Sequence, residues 1–583
     1  MPATEPKSPH RFAVSASAMA MSLVLAAMTG GPAQAAGPKA DLILTRGVVI
    51  PMTGPEKRFE AIAVRDGRIL ALGRAADIDA LRGPSTKVVD LQGKAVLPGF
   101  IDAHGHISGV AQQTAAASLQ PPPVGATADI PTLLRQMSEF AKTTNEGWIV
   151  GFGYDDAELA ERRHPTRHEL DGISADRPVI AIHASGHLGA LNTRALELTG
   201  MLHAEKDPEG GKIAREADGT AAGPVEETAL AKAMALLPAP TLDQSIEQLR
   251  RAEDIYAANG ITTAQDGGTV PGYWPILQEA ARRGALKLDV DAVPMIAQKW
   301  PAIETLPIGQ PRADRLRVVG IKIVLDGSPQ GRTAWLSQPY FHPPHNQPAD
   351  YVGYRRMSDA QLDSYLQVAA RHGWQVFVHV NGDAAIQQLI DGVRRVNAAS
   401  PQPLRRTIAI HAQTARSDQL REMKALDIEP SFFASHTYFW GDWHRQEVLG
   451  PARADRISPQ RESIDLGLRP TIHNDSPVVP PNILRLVWSA ATRQTRSDYV
   501  LGPAQRITHY EALQEVTTNA AYELHEEQIK GTLEVGKLAD FVVLDGDPLA
   551  VSSEKLLNLQ VRATIKEGVV VWQAPAEPAV AAR

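Results

Sequence analysis

The chain contains no cysteine. That absence excludes disulfides, thiolate zinc sites, iron–sulfur clusters, cysteine nucleophiles and a lipoprotein anchor. Any metal must therefore sit on histidine, carboxylate or a modified lysine. There is no basic block either: 59 Lys and Arg stand against 66 Asp and Glu, a net charge of −7. This balance argues against nucleic acid as the main partner. Beyond the N-terminus, no stretch is long and apolar enough to cross a bilayer. The sequence has no G-x-S-x-G, no H-E-x-x-H and no dinucleotide-binding glycine fingerprint. Gly531–Lys537 has P-loop spacing, but Leu538 stands where Ser or Thr is required. What is present is ordinary globular text, with 43% hydrophobic and 21% charged residues over 583 positions. That length allows several domains and an ample core.

The first 35 residues read as a signal peptide. Lys7, His10 and Arg11 form a basic start, Phe12 to Ala27 an apolar run, and Ala33-Gln34-Ala35-Ala36 an A-x-A site. The run is short for a membrane span, and Ser15, Ser17 and Ser22 interrupt it. Cleavage after Ala35 is expected, giving a periplasmic or secreted protein with no membrane attachment.

Residues 41–97 alternate short apolar runs with turns such as Asp66-Gly67, and 535–573 has the same texture. Together they predict a small β-sandwich domain formed by both chain ends. Between them, 98–530 alternates strand and helix text. Thr241…Gln244, Ser358…Gln361 and Thr508…Glu511 are helix-opening caps. Strand-like runs recur at 96–103, 261–266, 287–295, 318–325, 375–380, 406–412, 429–435 and 469–474. Eight such runs separated by helices predict an α/β fold, a distorted (β/α)8 TIM barrel. Residues 107–240 are too long for a loop and predict an inserted subdomain.

The chemistry concentrates at strand ends. The run Pro98-Gly-Phe-Ile-Asp-Ala leads into His104-Gly105-His106, and positions i and i+2 share a face. Val376-Phe-Val-His379, Ile408-Ala-Ile-His411 and Thr471-Ile-His-Asn-Asp475 end three more runs, and Lys322 lies within a fourth. In a barrel, the C-terminal ends of parallel strands converge on one mouth. Imidazole and carboxylate gathered there suit zinc and similar divalent ions. Further positions are candidate substrate contacts. His436 and Trp440 follow the seventh run, and Arg332 follows the fourth. Asp266, in Gln265-Asp-Gly-Gly268, reads as a turn residue.

In order, the motifs Leu97–His106, Ser185-Gly-His-Leu-Gly-Ala-Leu-Asn-Thr193, Gly320–Ser328, Asn474-Asp-Ser-Pro477 and Gly531–Asp540 resemble the metal-dependent amidohydrolase superfamily. The resemblance is to its amidohydrolase-3 branch, which includes N-substituted formamide deformylases, and it spans about residues 40–572. It implies that His104 and His106 are first-strand ligands of the more buried metal. By the same resemblance, His379 and His411 are ligands from the fifth and sixth strands, and Asp475 is the eighth-strand ligand. Lys322 corresponds to a lysine that carries a metal-bridging carbamate in some relatives. His187 corresponds to pocket lining. One departure is His473-Asn474, which stands where many relatives have Gly-Ser.

The implied cofactor is one or two divalent ions, with zinc the first choice. The implied reaction is hydrolysis of C–N bonds in small N-substituted amides or formamides by a metal-activated hydroxide, with Asp475 as the proton carrier. Two other readings stay open. One is the same barrel acting on an ester, lactone or cyclic amide; the other is a secreted binding or regulatory protein without turnover. The expected partner is a small-molecule amide, and a homodimer is an open option.

Overall fold

Apolar, β-branched runs and the capped helices between them set the architecture. The computed structural model describes residues 38–575, except 123, 145–146, 157, 184–187, 299, 301–302 and 345–346. The expected signal segment and His187 lie outside the described residues.

Eight strands carry the site. They are β1 (Phe100–Ile101), β2 (Ile261–Thr269), β3 (Asp289–Pro294), β4 (Gly320–Val324), β5 (Gln375–Val380), β6 (Thr407–His411), β7 (Ile428–Phe432) and β8 (Thr471–Ile472). β1, β2 and β3 pair in parallel in that order, and so do β4 through β8. Between β3 and β4 the ladder narrows to one parallel bridge, Met295 with Lys322, while Leu316–Val318 pairs along the edge of β3. β8 and β1 meet beyond their strand ends. There the Asp475 N–H donates to the His104 carbonyl at 3.2 Å, and the His106 N–H donates to the Ser476 carbonyl at 2.6 Å. β8 is shorter than its apolar text suggests, because Pro470 cannot donate to a ladder.

The caps read from sequence do form. Thr241 and Gln244 make a reciprocal capping box on Leu242–Ala258, and Thr508 and Glu511 do so on His509–Glu515. Ser358 caps Asp359–His372, which ends at Gly373 in the left-handed region, where a side chain would be strained. Beneath the strand ends, Ile101, Val293, Val319, Phe377, Ile408 and Ile410 form one buried cluster with Ala520, Ala521 and Leu524. Burying such a side chain contributes about 1.5–3 kcal/mol. This packed floor holds the polar groups above it in fixed positions.

Segments from the N- and C-terminal parts of the described residues share one eight-stranded sheet. The reason is Leu42–Val49, which pairs with Lys87–Asp90 by its first half and with Ala95–Pro98 by its second. Phe541–Leu544 pairs antiparallel with Ala95–Pro98, the segment that runs directly into β1. Residues 117–227 carry a separate six-stranded sheet with its own apolar clusters. Among the described residues, no helix is long and apolar enough to cross a membrane.

Candidate metal centre

The strand ends bring six side chains together. His104 and His106 leave β1, Lys322 lies in β4, His379 in β5, His411 ends β6, and Asp475 follows β8. The His104 and His106 Nε2 atoms lie 3.4 and 3.2 Å from Asp475 Oδ1. One ligand atom from each of these three residues falls within 4.8 Å of the others. Lys322 Nζ is 3.1 Å from His104 Nε2. His411 Nε2 is 3.0 Å from His379 Nδ1 and 4.0 Å from Asp475 Oδ2, so the carboxylate faces both groups of imidazoles.

Each ligand type is oriented from behind. Gln265 Oε1 sits 2.9 Å from His104 Nδ1, while its amide donates to the Ala103 carbonyl at 2.8 Å. That contact leaves His104 Nε2 directed at the centre. His379 Nε2 lies 3.1 Å from the Gly327 carbonyl, which directs Nδ1 inward. Asp326, fully buried, accepts backbone N–H groups from Trp335, Asn381 and Gly382 and fixes the loops beyond β4 and β5. His411 and Asp475 both adopt left-handed backbone, with φ of 70° and 52°. Non-glycine residues held there cost on the order of 1–3 kcal/mol each and cluster at functional sites.

Burial governs the protonation states. It drives His104 and His411 well below the ordinary imidazole range and takes His379 down to about 4. These rings are therefore neutral, with lone pairs free for a cation. Burial also brings Lys322 down to about 7, against the pull of Asp475 and Glu523. Burial alone would raise Asp475, but the hydrogen bond from His106 holds it well below the usual carboxylate range. An ionised carboxylate among neutral imidazoles is a donor set that fits a divalent cation. Asp475 Oδ1 is buried and faces the Nε2 atoms of both His104 and His106.

The chain belongs to the amidohydrolase family. That family's model matches residues 87–572, and the amidohydrolase-3 resemblance read from the motifs stands. The chain is thus a metal-dependent hydrolase acting on carbon–nitrogen bonds, and family membership implies a divalent metal. It is 26% identical over 554 residues to an N-substituted formamide deformylase of Arthrobacter pascens, covering 91% of this chain and 98% of the other. It is also 26% identical over 548 residues to the putative amidohydrolase YtcJ of Bacillus subtilis (strain 168), covering 90% and 98%. Among solved structures, it resembles an uncharacterized metal-dependent hydrolase from Pyrococcus horikoshii OT3. The TM-score is 0.69 at 25% identity, over 88% of this chain and 99% of that one.

Among the expected substrate contacts, His436 and Trp440 lie near the centre. The Phe433 ring is 6.4 Å from His411, 4.4 Å from His436 and 6.1 Å from Trp440. Arg332 is already engaged: it pairs with Glu447 at 3.3 Å and lies 4.9 Å over the Trp443 ring. Asp266 is not a turn residue. It is buried within β2 and accepts from the Ser108 N–H at 3.2 Å and the Thr269 hydroxyl at 2.6 Å, pinning the helix that follows His106.

Sequence reasoning missed Gln265, Asp326, Gln413 and His444. Gln413 Nε2 lies 2.9 Å from His436 Nδ1 and 3.2 Å from His444 Nε2. A second trio, Asp155, Asp156 and His183, gathers in the inserted sheet region, half-buried.

Proposed function

We propose that the chain hydrolyses small N-substituted amides or formamides on a distorted (β/α)8 barrel. The observation that carries this reading is the convergence of His104, His106, Lys322, His379, His411 and Asp475 from five strands on one buried centre. The Arthrobacter pascens relative's name supports the choice of N-substituted formamides.

In this reading His104, His106 and Asp475 hold one divalent ion, with zinc favoured. His379 and His411 would hold a second, and Lys322, as a carbamate, would supply an anionic oxygen ligand there. Lys322 suits that modification because burial makes its amine readily neutral, and only the neutral amine adds carbon dioxide. A bound divalent ion supplies Lewis acidity, polarising a carbonyl and lowering the pKa of a water to about 7.

The protein's own groups do the rest. Asp475 accepts a proton from the attacking water and passes it to the leaving nitrogen. The water oxygen adds to the carbonyl carbon, the C–N bond breaks, and an acid and an amine leave. Gln413 Nε2 lies 2.9 Å from His436 Nδ1, and with the amide donating there the ring proton would sit on Nε2, ready to donate to the carbonyl oxygen. Trp440, packed against His436, gives the pocket an apolar wall.

The deciding experiment is an assay of purified, metal-loaded protein on N-substituted formamides, other amides, esters and lactones. Turnover highest on formamides or small amides is expected. Turnover confined to esters or lactones, or none at full metal occupancy, overturns the reading. The basic start, apolar run and A-x-A site support export. The mature N-terminus should then begin at Ala36, and one beginning before Phe12 excludes cleavage.

A further inference from the structure

His473 has no part in the mechanism above, yet its ring packs against two of the histidines of the centre. It follows β8 directly and is 1% exposed. Its ring centroid lies 5.1 Å from that of His104 and 5.0 Å from that of His411, both edge-on. The Phe433 ring closes a third side at 5.3 Å. Neither ring nitrogen makes a well-formed hydrogen bond, and the acceptor beside the ring is the Ser431 carbonyl. A buried polar atom without a well-formed hydrogen bond is destabilising, and here one side chain carries two. An apolar residue would fill the same space without that penalty, so packing alone does not account for an imidazole. Its neighbours do account for it, because His104 and His411 are also neutral imidazoles facing the centre. A lone pair among them finds a partner in the cation they hold.

We infer that His473 is a further imidazole ligand of the metal centre, reaching it from the eighth strand between the His104 and His411 sides. This rests on the metal-dependent reading above. It adds to the six residues already assigned.

The test compares wild type with His473→Leu and His473→Asn. Zinc affinity is measured by competition with a chromogenic chelator. Coordination is read from the visible spectrum of the cobalt-loaded proteins, and the Tm is taken on the metal-free forms. A ligand role predicts at least a ~10-fold loss of zinc affinity in both variants and an altered cobalt spectrum. It also predicts a metal-free His473→Leu Tm equal to or above wild type, since two poorly partnered atoms are gone. Wild-type affinity and spectrum in either folded variant overturn the inference, as would a lowered metal-free Tm with unchanged zinc binding. His473→Asn keeps the comparison available if His473→Leu does not fold. Failure of the wild type to bind any divalent ion is a different result, and it brings down the metal-dependent reading itself.

Discussion

Gly267 lies against the ring of His104. A methyl group on its Cα would stand 2.4 Å from both Cε1 and Nδ1 of that imidazole. The same ring edge meets Gln265, so His104 is confined between a side chain that holds it and a backbone that leaves it room. Gly267→Ala should push the ring off the centre and lower metal affinity by roughly 10- to 100-fold. Chelator competition checks this, and an unchanged affinity would show that the ring has other places to go.

Among the described residues, Asp475 is the one carboxylate facing both groups of imidazoles. Asp475→Asn keeps the shape and removes the basic oxygen. The expected result is a fall in kcat of about 10²–10⁴-fold with metal still bound. Steady-state kinetics alongside metal analysis test it. A kcat equal to wild type at full occupancy removes Asp475 from proton transfer.

Dialysis against a strong chelator should abolish turnover, and zinc or a similar divalent ion should restore it. Because the imidazoles are neutral through burial, metal should rebind near neutral pH without prior deprotonation. Full activity in protein shown to be metal-free contradicts the scheme.

His444 offers a pH test away from the ligands. Burial holds its imidazole at about 3 in the folded chain, whereas in the unfolded chain it takes a proton near 6.5. Below that pH the unfolded state binds the extra proton, so the contribution of His444 to stability falls as the pH falls. In His444→Gln this loss is absent. The stability of the variant relative to wild type should therefore rise by about 1.4 kcal/mol per pH unit below 6. Denaturant unfolding of both metal-free proteins at pH 7 and pH 4.5 measures it. Parallel profiles would refute the assignment.

The strands were legible because their chemistry is local. Val376-Phe-Val-His379 and Ile408-Ala-Ile-His411 announce a buried strand and its polar end within a few residues, and the capping boxes mark the helices between. The residues that orient the ligands were not legible, because their contacts are long-range. Gln265 and His104 are 161 positions apart, and nothing around either names the other. Asp266 looked like a turn residue beside two glycines. Burial in β2 and the Ser108 hydroxyl gave it a different task, one set by tertiary contact. The connectivity of the terminal sheet was not legible for a related reason. Alternation shows which residues face inward, but not that Leu42–Val49 is shared between two partners.

That shared sheet sets an order of assembly. Ala95–Pro98 leads straight into the histidine pair, and its antiparallel partner, Phe541–Leu544, is among the last segments of the chain. Lys566, later still, reaches Asp540 at 2.8 Å and Asp289, the first residue of β3, at 2.9 Å. That antiparallel neighbour of Ala95–Pro98 therefore leaves the ribosome only when nearly the whole polypeptide has been made, and a truncation upstream of Phe541 would bare one edge of the segment that leads to His104 and His106 without touching either residue.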